Sequence, residues 1–70
     1  MTLLAEIGEA LYGERWQTAL AQDLGMADRT VRRWVAGESP VPDHVWPFLA
    51  KRIVIRRMTL QRLQKRVPRQ

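Results

Sequence analysis

Apolar residues recur along this chain at three- and four-residue spacing, the period of an amphipathic helix rather than the alternation of a strand. Leu3, Leu4, Ile7 and Leu11, with Ala10 beside them, predict a first helix over residues 3–12, with Thr2 as N-cap and Gly13 as a left-handed C′ residue. A second helix runs from Arg15 or Trp16 to Leu24, turns Trp16, Leu20, Ala21 and Leu24 inward, and stops at Gly25. After a connection of three residues, a third begins near Asp28, places Val31, Trp34 and Val35 on one face, and ends at Gly37. The pattern is helix, tight turn, helix.

Beyond the Pro40-Val41-Pro42 turn the pattern leaves alternatives. Asp43 can cap a fourth helix with Pro47 in its first turn, or the helix can start at Pro47 itself. Either way Trp46, Leu49, Ile53, Leu60, Leu63 and Val67 fall on one stripe, interrupted at Arg56. Thr59 is able to cap a separate fifth helix, and the β-branched run Ile53-Val54-Ile55 could instead form a short strand; helix is the favoured reading. The expected fold is all-α, four to five short helices. Residues 1–57 would form the folded domain and 58–70 a basic amphipathic extension, dimerising or partly disordered.

Charge sharpens this picture. Residues 1–43 hold four arginines against seven acids, whereas residues 44–70 hold eight lysines or arginines and no acid, giving −3 and +8. Such asymmetry points to a polyanionic partner, nucleic acid first and an anionic membrane surface second. With 70 residues, 46% apolar and no cysteine, the chain is expected to be one small unit with a thin core, reinforced by self-association rather than by disulfides or a thiolate metal site. No apolar run approaches the length of a membrane span, and the first residues carry Glu6 and Glu9 rather than a basic leader. A cytoplasmic, membrane-free location is expected.

Two helices that cross closely need a small residue in the first, a residue tolerant of positive φ in the turn, and apolar residues to lock them. Ala21, Gly25 and the set Leu20, Leu24, Met26, Val31 and Trp34 supply these. The segment from Gln17 through Gly37 resembles the Cro and phage-repressor proteins, the lambda-repressor-like helix-turn-helix family. The likeness covers about residues 3 to 55 and rests on Gln17, Ala21, Gly25 and Gly37 together; the motif spans 16–37. One departure is Trp16, where the family often has Ser, Thr or Asn as N-cap, so helix 2 could begin at Glu14.

The resemblance implies that the 28–36 helix enters the major groove of duplex DNA. The outward positions are then Ala27, Asp28, Arg29, Thr30, Arg32, Arg33 and Ala36, with Asp28, Arg29, Thr30, Arg32 and Arg33 as base readers. Arginine's fork suits both acceptors of guanine, so G-containing half-sites are expected, with Arg33 foremost and Arg29 next. Asp28 is read chiefly as a helix cap, with a buttress for Arg32 or an acceptor from cytosine N4 as alternatives. Gln17, with Arg15 and Thr18, would meet phosphate at the start of helix 2, and Ser39, with His44 as a weaker candidate, after helix 3. Lys65, Arg66 and Arg69 would bind DNA without regard to sequence. Dimerisation is assigned to Ile53, Leu60, Leu63 and Val67.

Other chemistry is poorly supplied. One Tyr, one His and one Ser, with no clustered carboxylates, offer no catalytic pair, and the spacing suits no metal. Trp16, Trp34 and Trp46 could stack on single-stranded bases, but helical spacing puts Trp34 opposite the arginines, so core packing is expected, as it is for Trp46. No cofactor, metal or small-molecule ligand is expected. The predicted function is a small Cro-like or autoregulatory repressor of the kind found in phage and mobile-element operons, acting as a homodimer on a palindromic operator. A chain this short leaves no room for a separate sensing domain. The alternative is a helix-turn-helix adaptor or inhibitor that binds an acidic protein.

Overall fold

Glycine and proline cut the chain into its helices, and the computed structural model, which describes residues 2–68, shows where. The elements are α1 (Leu3–Tyr12), α2 (Trp16–Leu24), α3 (Asp28–Val35) and α4 (Val45–Arg66), with no strand among the described residues. The Thr2 hydroxyl caps α1 by accepting from the Ala5 N–H at 3.2 Å. Gly13 ends it at φ 87° but ψ −158°, so the left-handed helical conformation expected there is replaced by a region open essentially to glycine alone.

Gly25 does adopt the left-handed conformation, at φ 72° and ψ 33°. Its N–H donates to the Gln22 carbonyl and that of Met26 to the Ala21 carbonyl, at 3.1 and 2.8 Å. This double closure satisfies the last carbonyls of α2 and folds Met26 back onto the core. Gly37, at φ 77°, closes α3 in the same way, with Gly37 donating to Trp34 and Glu38 to Arg33.

The core holds Leu4, Ala5, Leu11, Trp16, Leu20, Ala21, Val31, Trp34, Val45 and Leu49. Ala21 is wholly buried, as a close α2–α3 crossing requires. Gly8 is equally necessary, because a Cβ there would overlap the indole of Trp16. The principal packing runs from α3 to α2, α2 to α1, and α1 to α4.

Two expectations about the C-terminal half, the start of α4 and the place of Val67, need correcting. Neither Asp43 nor Pro47 starts α4: His44 stands at the cap without a side-chain bond, and the first backbone turn closes from the Val45 N–H to the Pro42 carbonyl. Trp46 packs against the core as expected but is half-buried, and Val45 is the wholly buried residue of the first turn. The favoured helical reading of residues 53–55 holds and Thr59 is helical interior, so there is one helix of 22 residues, about 33 Å long, running unbroken across positions 57 and 58. Val67 lies outside it, extended at ψ 125°, since the following Pro68 disfavours helical geometry. Arg69, assigned above to DNA, falls outside the described residues, as does the end of the 58–70 extension.

The long helix sets the shape. The molecule measures 49 × 22 × 21 Å, and its radius of gyration of 14.2 Å exceeds the ~11 Å of a spherical domain this size. Distal α4 stands clear of the body.

Candidate nucleic-acid interface

At about 100° per residue, Arg29, Arg32, Arg33 and Ala36 occupy one sector of α3, and Val31 and Trp34 lie diametrically opposite. Burial follows that division: Val31 and Trp34 are in the core, whereas the three arginines are exposed. None of the three donates to a carboxylate or carbonyl among the described residues. The three guanidiniums therefore stand side by side, facing solvent, on a helix anchored from behind. Asp28 and Thr30 sit at the margins of this sector, half-buried.

Asp28 is not the cap expected of it. Ala27 holds that place, extended and without a side-chain bond, and its carbonyl accepts from the Thr30 N–H at 3.0 Å. Asp28 is the first helical residue, where its charge still meets the favourable end of the helix dipole. Its Oδ2 accepts from the Thr18 hydroxyl at 3.1 Å, and no bond to Arg32 accompanies it. That contact ties the first turn of α2 to the first turn of α3, and it commits the Thr18 proton to Asp28.

The remaining phosphate candidates bracket α3. Arg15 is the N-cap of α2 without a capping side chain, and no acid occupies the first turn of that helix. The N–H groups of Trp16, Gln17 and Thr18 are thus left without backbone carbonyls beside Arg15, a setting that favours an anion. Ser39 lies past the other end of α3, about 12 Å of helix away, its N–H directed at the Arg33 carbonyl. The Thr18–Asp28 bond sets the start of α2, which carries Arg15 and Gln17, by the first turn of α3, and Ser39 follows its last turn.

Sequence reasoning missed a polar clamp that joins α1, α2 and α4. The Tyr12 hydroxyl donates to Asp23 at 2.6 Å, and Arg52 donates to the other oxygen of the same carboxylate at 2.9 Å. Arg52 lies over the Phe48 ring at 5.1 Å. Arg56 donates to the Leu11 carbonyl in the last turn of α1, which explains why an arginine interrupts the apolar stripe. Partial burial first, then the bond to Asp23 and its negative charge, push the Tyr12 phenol up to about 12, against the pull of Arg52 and Arg56. Only the four-residue spacing of Phe48, Arg52 and Arg56 could have signalled the clamp.

The positions assigned to dimerisation are uncovered, Ile53 by 39%, Leu60 by 55%, Leu63 by 48% and Val67 by 66%. Among the described residues no helix is long and apolar enough to cross a membrane, and no three acidic, histidine or cysteine side chains converge as metal ligands. Comparison with protein-family models, with curated proteins and with solved structures finds no match.

Proposed function

We propose that this chain is a sequence-specific regulator that binds duplex DNA through α3, in the manner of a lambda-repressor-like helix-turn-helix protein. The observation that carries the proposal is the segregation on α3: three unpaired, exposed arginines backed by buried Val31 and Trp34. An α-helix fits the major groove, and arginine is the side chain best matched to guanine there. Arg29, Arg32 and Arg33 would read bases, with Asp28 and Thr30 reaching the flanks. Arg15, Gln17 and Ser39 would fix the helix in register by meeting phosphate, while Thr18 holds Asp28 in place.

Acting as a homodimer, such a protein would occupy a palindrome and repress by covering a promoter. Selection of bound fragments from a random duplex library tests this. The expected result is a palindromic site with G-containing halves whose centres lie ~34 Å apart, or a multiple of that. Recovery of no common sequence, with retention of acidic proteins instead, would favour the adaptor reading.

A further inference from the structure

One face of α1 is left uncovered by the chain's own fold. Leu3 is 61% exposed, Ala10 is exposed and Ile7 is only half-buried. Beside that face runs the open side of α4. The two meet in an apolar groove of about 450 Å³, floored by Ile7, Ala10, Ile53 and Leu60. Glu6 stands on the α1 wall, and Arg56 and Arg57 stand on the α4 wall. Arg56 is turned to the Leu11 carbonyl, but neither Glu6 nor Arg57 has an ion-pair partner among the described residues.

Opposite signs on the two walls constrain the occupant. An anionic membrane would be repelled by α1, which carries Glu6 and Glu9 and no base. A small apolar ligand would leave the same faces bare one turn beyond each end of the floor, at Leu3 and Leu63. A second copy answers both objections. In a two-fold contact a pair between residue i and the partner's j is repeated between j and the partner's i, so a single rotation lets both acidic walls meet basic ones.

We infer that a second copy of this chain fills the α1–α4 groove, with Glu6 of one protomer paired to the partner's Arg57 and the reverse pair formed by the same rotation. The inference rests on the dimeric part of the proposed function and extends the contact from α4 to α1. It does not depend on the DNA contacts, and no residue of α3 lines the groove, so the pairing leaves the arginine face unused.

The test is sedimentation velocity at tens of micromolar and low salt on the wild type, Glu6→Arg, Arg57→Glu, and an equimolar mixture of the two variants. The wild type is expected to be dimeric. Each variant alone sets like charges opposite each other at both walls and should associate at least roughly tenfold more weakly. The mixture should recover dimers, because only the mixed pair restores opposite charges at both contacts. That recovery also shows both variants to be folded; should either fail to fold, the neutral Glu6→Gln and Arg57→Gln replace them, each with a smaller loss. Dimers unaffected by either variant, yet abolished by Leu63→Asp, which lies outside the groove, would overturn the groove and leave a dimer through distal α4. A monomeric wild type, including one that co-sediments with phosphatidylserine vesicles, would overturn both.

Discussion

Gly8 and Trp16 share one volume: the indole lies where a side chain on α1 would have to be. Glycine inside a helix is a poor choice on propensity, and its presence there is repaid by the ring that covers it. In Gly8→Ala, overpacking costs about 1–3 kcal/mol and helix propensity returns about 1, so denaturant unfolding should show a net loss of up to roughly 2 kcal/mol. Hydrophobic periodicity is blind to this pairing, since glycine contributes nothing to a stripe; an interior glycine without a turn was the only clue. Tyr12 carries a second residue-scale consequence. Its phenol titrates near 12 in the folded chain and near 10 when unfolded, so folding favours the protonated form. The stability this provides is complete below pH 10 and is lost as pH rises through 12. Unfolding measurements across that interval should show a steeper decline for the wild type than for Tyr12→Phe.

Helices α1 to α3 were legible because each obeys local rules: a threonine cap, glycines after α2 and α3, and a clean 3.6-residue period. The start of α4 was not, because His44 contributes no capping side chain and Pro47 permits two registers. Its continuity was ambiguous for a related reason, since β-branched residues and a threonine in mid-helix are resolved only by helical neighbours on both sides. The outward direction of Arg29, Arg32 and Arg33 could be read from spacing alone, whereas the Thr18–Asp28 bond joins positions whose adjacency only the α2–α3 packing creates. Helices α3 and α4 have different parts in the proposed binding. Replacing Lys65 and Arg66 with alanine should weaken all duplexes alike and flatten the log–log salt slope by ~0.9 for each phosphate no longer neutralised. Fluorescence anisotropy on unrelated duplexes at several salt concentrations reads that slope.

At the scale of the whole molecule, the charge asymmetry of the sequence becomes an asymmetry of shape. The body carries the acids, and the projecting α4 carries most of the bases together with an uncovered apolar stripe. A chain that exposes Ile53, Leu60 and Leu63 along one helix has more apolar surface than its own core can use, which makes a partner thermodynamically useful. Leu60→Asp combined with Leu63→Asp should leave a folded monomer, measured as a halved sedimenting mass with unchanged helical circular dichroism. The body would still present α3, but a single half-site contact binds a palindrome less tightly than two. The proposed function therefore needs both ends of the molecule, the arginine face for recognition and α4 for pairing. Its central claim is that the arginines of α3 read bases, and the most direct measurement compares Arg33→Ala with the wild type on the selected palindrome and on a scrambled duplex at one moderate salt concentration. The account predicts a loss of ~1–3 kcal/mol confined to the palindrome. An equal loss on both duplexes, or a wild type that does not distinguish them, would contradict it.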